Sequence, residues 1–366
     1  MIATKGFSLN KTVKVACFIL IASILFLSCV KDKPNDEKDG FSGTSGRKVW
    51  IANEGSLGNG NSSLSLYDID HDSMFNNVFE TKNGQQLGDV FQSILSVGDQ
   101  LFLVINNSDK ILVINKDDVA LIASIATRKP RQMLLVNENK MYVSSLFYPE
   151  INIINPKTFQ NIGKIVVDFP NTEGMLLHNG KVYAANWDTA CNYIYEINPE
   201  TDEITHRIPI AGSAPTDILR DKDKNLWVLS GNVYKGKNAA LTQINPQNRS
   251  IIKSFQFQNE ADIIKPTWNP TKDTLYFLGV NYDGGTNYNG LYRMDISAST
   301  LPSQLFIAAK PLQYFWGLGV DSATNQIYLA DPKGFIQSGS VRIFNPDGNL
   351  LKEFKTGLGP GYFLFE

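Results

Sequence analysis

Met141-Tyr142-Val143, then Leu146-Phe147-Tyr148, then Ile154-Asn155-Pro156: this short stretch decides the fold. An aromatic, β-branched run, an irregular aromatic loop and a second apolar run ending in Asn-Pro describe two strands and a turn. Pro presets φ and the Asn side chain bonds its own backbone, so Asn155-Pro156 stops one strand and starts the next. The unit recurs along the chain. Its aromatic strand reads Val49-Trp50-Ile51, Leu101-Phe102-Leu103, Met141-Tyr142-Val143, Val182-Tyr183-Ala184, Leu226-Trp227-Val228, Leu275-Tyr276-Phe277 and Ile327-Tyr328-Leu329. The aromatics fall 52, 40, 41, 44, 49 and 52 residues apart. Its turn reads Tyr67-Asp68, Ile114-Asn115, Ile154-Asn155-Pro156, Ile197-Asn198-Pro199, Ile244-Asn245-Pro246, Met294-Asp295 and Phe344-Asn345-Pro346.

Between these marks turn signals come every eight to twelve residues, with little helical period. Each unit therefore reads as four strands; in the second they span residues 90–97, 100–106, 110–115 and 120–126. A four-stranded unit of about 40–50 residues, repeated seven times, is the pattern of a β-propeller blade. A β-helix needs a much shorter period, and a sandwich does not repeat seven times. The first unit lacks an innermost strand before Val49, while Gly361-Tyr362-Phe363-Leu364-Phe365-Glu366 follows the seventh unpaired. The expected fold is an all-β, seven-bladed propeller closed by its C-terminal strand.

Composition agrees and narrows the function. With 43% hydrophobic and 19% charged residues the chain is an ordered globular protein. Lys+Arg 34 against Asp+Glu 36 gives −2, which leaves no large basic field for nucleic acid. Three His and three Cys speak against a His-rich metal centre or a disulfide framework.

Lys5, Lys11 and Lys14 precede an apolar run over residues 15–27 that ends in Phe26-Leu27-Ser28-Cys29. A basic start and about a dozen apolar residues suit a secretory signal and fall short of the roughly 20 needed to span a bilayer. Residues 31–45 are rich in Lys, Asp, Pro, Gly and Ser and read as a flexible tether. The expected organisation is a signal over 1–28, a tether over 29–46 and the propeller over 47–366. Phe26-Leu27-Ser28-Cys29 resembles a bacterial lipobox, which implies lipidation at Cys29.

Strand order places the second-to-third loops and the blade-to-blade crossovers on one face, and the Asn-Pro turns on the other. The first face gathers aromatics: Tyr148, Trp187, Tyr234, Tyr282 and Trp316, with Phe147, Phe315 and Phe335 reading equally well as packing between blades. Aromatics on irregular loops suit a recognition surface. Enzymatic readings have less to stand on. His71, His178 and His206 sit near no nucleophile, and Glu54, Asp89, Asp188, Asp283 and Asp331 lack ligand-loop spacing for Ca²⁺. Cys191 reads as a buried structural thiol. The residues 55–60 and 83–88 are Gly-rich but open no helix, so phosphate cradling is not expected. The expectation is a non-enzymatic binding protein without metal or cofactor.

Several stretches resemble the secreted seven-bladed propellers of Bacteroidetes of the YncE and surface-layer type. They are Asn53-Glu54-Gly55 with Gly60-Asn61-Ser62-Ser63, Asn83-Gly84-Gln85-Gln86-Leu87-Gly88-Asp89 with Gln92-Ser93, Val104-Ile105-Asn106-Asn107-Ser108, Pro130-Arg131 and Phe315-Trp316-Gly317-Leu318-Gly319. Within these the chain is most similar to the surface lipoproteins that capture cobalamin (BtuG type). The charged stretch Lys31-Asp32-Lys33 resembles the signals that send such lipoproteins to the outer face of the outer membrane. The resemblance implies capture of a cobalamin-like corrinoid, as cargo and not as cofactor, with handover to a TonB-dependent transporter. On that reading Tyr148, Trp187, Tyr234, Tyr282 and Trp316 are the stacking anchors, and Asn107 and Arg131 meet the ligand's amides. Asp72-Ser73-Met74, Asp188-Thr189-Ala190, Asp273-Thr274-Leu275 and Asp321-Ser322-Ala323 resemble short O-glycosylation acceptors. A surface propeller that binds protein or glycan, with no small ligand, stays open beside the corrinoid reading.

Overall fold

The structure is a computed structural model, and it describes residues 46–231, 239–257, 262–281 and 289–366. Seven antiparallel four-stranded sheets follow one another along the chain. The second blade is typical, with strands Phe91–Val97, Gln100–Ile105, Lys110–Asn115 and Leu121–Ala126 running from the axis outward. Each innermost strand touches the innermost strand of the next blade, including the last with the first, so the sheets close into a ring. The first blade takes its innermost strand, Pro360–Phe365, from the end of the chain and pairs it with Lys48–Asn53. Glu366 N–H donates to the Lys48 carbonyl at 2.9 Å, and Lys48 N–H returns a bond to Glu366 at 2.8 Å. The closure expected from the unpaired ends is what the chain does.

Strand alternation explains the core. In Val49-Trp50-Ile51-Ala52 the odd residues enter the gap shared with the seventh blade, and the even ones the gap shared with the second. Seven apolar clusters result, each filling one gap between neighbouring blades. The aromatic that marks each repeat always points to the following blade: Trp50, Phe102, Tyr142, Tyr183, Trp227, Tyr276 and Tyr328 are all buried there. Several keep a partner for the polar tip, as Trp227 Nε1 does by donating to Asp221 at 2.8 Å.

The repeated Asn behaves as its sequence suggests. Oδ1 of Asn115, Asn155, Asn198, Asn245 and Asn345 accepts the backbone N–H two residues on, at 2.8, 2.9, 3.1, 2.9 and 3.1 Å. Two blades depart from four full strands. The outer strand of the first is only Ser73–Phe75, followed by a short helix, Val78–Asn83. Val78 and Phe79 of that helix plug the gap to the second blade, and Gly84 closes it in a left-handed conformation at φ 64°. The outer strand of the sixth blade shrinks to Ile307–Ala308.

Candidate functional site

A cavity of about 680 Å³ lies where the innermost strands begin and the second-to-third loops converge. Its rim comes from loops: Leu57 of the first blade, Leu146 of the third, Trp187 of the fourth and Phe335 of the seventh. Trp316, just ahead of the innermost strand of the seventh blade, stands edge-on to Phe335 with ring centres 5.6 Å apart. The two indoles thus come from blades on opposite sides of the ring.

The floor has a different origin. Six of the seven innermost strands slip register near their first residues: between Phe91 and Ser93, Pro130 and Met133, Thr172 and Met175, Pro215 and Asp217, Ile264 and Thr267, and Pro360 and Tyr362. A bulge leaves one residue out of the ladder and re-aims its side chain. The residues so released include Gln92, Arg131, Glu173, Thr216 and Lys265, and all five line the cavity. At Gly361 there is no side chain to release, and the space is taken by others. A Cβ there would stand 2.5 Å from Glu54 Oε1 and 3.0 Å from the Trp316 ring. Trp316 Nε1 donates to that same Oε1 at 2.7 Å.

Most of the floor is already committed. Arg131 donates to Glu173 through Nε at 2.8 Å and Nη2 at 2.9 Å, and to Gln92 Oε1 through Nη1 at 2.7 Å. This bidentate pairing fixes the guanidinium plane. Burial pushes the Glu54 carboxyl up from its ordinary range, against the pull of Lys265 and of the Trp316 bond. Asp217 lies deep but keeps part of its surface open to the cavity, and burial pushes it up to about 6. The Thr216 hydroxyl opposes that shift, the Glu173 charge adds to it, and Lys265 and Arg131 oppose it. Trp187 Nε1 is shielded from water and finds no acceptor among the described residues. An apolar rim over fixed donors and acceptors can hold and orient a ligand by one polar end.

A family model described as Domain of unknown function (DUF5074) matches residues 47–363. The chain is a member of the DUF5074 family. The match runs from the first blade into the closing strand, so the family unit is the whole ring. No curated protein matches the sequence. Among solved structures this DUF5074 chain is similar to a quinonprotein alcohol dehydrogenase-like protein from Bacteroides thetaiotaomicron, at 14% identity and TM-score 0.66, over 89% of this chain and 78% of that one. It is also similar to apo AztD from Citrobacter koseri, at 12% identity and TM-score 0.56, over 87% and 97% of the two chains. A streptogramin B lyase structure matches at 12% identity and TM-score 0.55, over 72% and 82%. At such identities the likeness is one of fold.

The DUF5074 ring brings three of the expected site residues together: Arg131, Trp187 and Trp316 all line the cavity. Tyr148 is placed elsewhere, covered by the Arg128 guanidinium 4.2 Å from its ring centre. Asn107 is exposed, donates to Asp89 and accepts from Lys129 Nζ at 3.0 Å, while its neighbour Asn106 reaches the cavity. Tyr234, Tyr282 and Cys29 lie outside the described residues. Of the doubtful aromatics, Phe315 is core, Phe335 is rim and Phe147 is exposed. Of the acidic loop residues, Asp283 lies outside the described residues, and among the described residues no acidic cluster suits a metal ion. Asp89, for one, accepts the Gly58 N–H at 2.9 Å and tethers a loop. Sequence reading missed Gln92, Glu173, Asp217 and Lys265. A signal existed in Pro130-Arg131, Glu173-Gly174, Pro215-Thr216 and Lys265-Pro266, since Pro or Gly within a strand pattern marks a bulge.

Proposed function

We propose that this protein is a non-covalent capture protein that takes a cobalamin-like corrinoid over the channel mouth and passes it to a TonB-dependent transporter. The observation that carries the binding reading is the cavity itself, lined by Trp187 and Trp316 from two blades and by an Arg131 and Glu173 that are locked together. A corrinoid is a broad, largely apolar macrocycle rimmed by amides. Indoles from two blades supply stacking area for it, and fixed polar groups below answer its amides. The corrinoid class and the transporter rest on the family resemblance of the sequence. On the same reading Cys29 carries the lipid and holds the ring at the outer surface of the outer membrane; Cys29→Ser is expected to release the protein into the soluble fraction.

The test is calorimetric titration of the purified full-length chain with cyanocobalamin and with cobinamide. Heat and a red complex are expected. No heat and no colour with either overturns the corrinoid reading. A specific observation favours a macromolecular partner in that event. Leu57, Leu312 and Ile336, 75%, 83% and 85% exposed, all sit on the loop-rich side of the ring, and Ser56 Oγ donating to the Phe335 carbonyl groups the first and last of these loops, as an apolar interface patch requires.

A further inference from the structure

Two charged groups of the cavity floor stand apart from the rest. Arg131 spends all three of its guanidinium nitrogens on Glu173 and Gln92, and Glu54 is held by Trp316. Lys265, by contrast, takes part in no hydrogen bond or ion pair among the described residues, although it lines the cavity. Its backbone is also unusual. Lys265 sits at φ 53°, inside the register slip between Ile264 and Thr267, and immediately before Pro266. A non-glycine residue in the left-handed region is uncommon, and a following proline restricts it further. Such strain persists where the surroundings impose it, and here its effect is to turn an ammonium into the cavity.

Asp217 enters from the neighbouring blade, directly after the slip that begins at Pro215. Its carboxylate senses Lys265 through space, while the Thr216 hydroxyl beside it donates to the Leu229 carbonyl at 3.4 Å. The cavity floor therefore offers an ammonium and a carboxylate on adjacent blades, neither held by a hydrogen bond among the described residues. We propose that the ligand end entering the channel is an uncharged carboxamide, whose carbonyl oxygen accepts from Lys265 and whose N–H donates to Asp217.

Exclusion of the charged alternatives follows from the neighbours. An anion in front of Lys265 also faces Glu54, Glu173 and Asp217. A cation in front of Asp217 faces Lys265 and Arg131. Either one gives up its hydration to enter a cup with apolar walls, and a zwitterion gives up two charges' worth. A carboxamide surrenders far less and matches both partners with one acceptor and one donor side by side.

This inference rests on reading the mouth as a small-ligand site, and it is tested without a corrinoid. Propionamide, propionate and propionamidinium have the same shape and differ in charge. Ligand-detected NMR titration of the full-length chain measures all three. Propionamide is expected to bind roughly tenfold more tightly than either charged isostere. In Lys265→Met and in Asp217→Leu that preference is expected to fall to near parity, with thermal melts verifying that both variants fold. Crystals soaked with propionamide are expected to place its amide between Lys265 Nζ and the Asp217 carboxylate. The proposal is overturned if a charged isostere binds as well, if none of the three binds, or if the preference survives in both variants. Failure of cyanocobalamin to bind leaves this result standing, whereas a mouth that takes cyanocobalamin and ignores propionamide sinks the carboxamide alone.

Discussion

Trp316 Nε1 meets Glu54 Oε1 at 2.7 Å directly over Gly361, so an indole of the seventh blade and a carboxylate of the first share the space a missing side chain leaves. The contact ties the cavity to the ring closure, because Gly361 belongs to the strand that joins the two ends of the chain.

Gly361→Ala tests that arrangement. The new Cβ would fall 2.5 Å from Glu54 Oε1, closer than real contacts allow, and 3.0 Å from the indole, which must then give way. The expected outcome is loss of the Trp316–Glu54 bond, with a stability cost of about 1–3 kcal/mol. A shifted tryptophan emission and a lowered denaturation midpoint check it; an unchanged midpoint and spectrum contradict it.

Glu366 is the second test of closure. Its carboxylate accepts from Trp50 Nε1 at 2.8 Å, from Ser96 Oγ at 2.7 Å and from Lys116. Burial works against that carboxylate, but the bonds from Lys116, Ser96 and Trp50 outweigh it and hold its pKa below the ordinary range. A lowered folded pKa gives stability that is present above the unfolded value and lost as pH falls through the folded one. Glu366→Gln is therefore expected to lower stability at pH 7 by on the order of 1–3 kcal/mol. The gap between variant and parent should begin to narrow as pH falls below the unfolded glutamate value of about 4.3, and close only below the lower folded value. Urea unfolding at pH 7 and pH 3 measures both.

Asp217 has the opposite sign. Its pKa is pushed up to about 6, chiefly by burial, so the folded chain holds a proton that the unfolded chain releases near its ordinary value of about 3.8. Stability contributed this way is full below that value and is lost as pH rises to about 6. At pH 7 the ionised group is a burden, and Asp217→Asn is expected to raise stability by roughly 1–3 kcal/mol. At pH 3 the variant and the parent should unfold together. A variant less stable than the parent at pH 7 contradicts this account.

Binding should separate two aromatics that look alike in the sequence. Trp187 lines the cavity, whereas Tyr148 lies under Arg128. Trp187→Ala is expected to weaken a bound corrinoid about thirtyfold, the loss of an anchor worth about 2 kcal/mol. Tyr148→Ala should leave affinity within about twofold, since residues off the contact contribute little. Titration of both variants decides, and equal losses would move the site toward the third blade.

The ring was legible because each blade repeats a conspicuous residue. Trp50, Tyr142 and Tyr328 mark their strands and all point into the next gap, so period and burial coincide. Rim residues were partly legible, since an indole in a loop such as Trp187 is conspicuous. The floor was not. Gln92, Glu173 and Lys265 sit in strands whose alternation reads normally, and a single unpaired residue leaves no trace in a period of two. Only the neighbouring Pro and Gly mark the slip. Nor does a sequence say that Arg128 covers Tyr148, because that contact crosses from one loop to a crossover twenty residues away.

Stitching Pro360–Phe365 beside Lys48–Asn53 makes every junction between blades, the first with the seventh included, a contact of the same kind. Covalent continuity is then redundant at any one crossover. A single protease cut there opens the chain but leaves both new ends pinned by sheets on either side, so the pieces do not part. By the same logic a gene rearranged to start at the second blade, with its old ends fused by a short linker, should encode a protein that assembles the same ring.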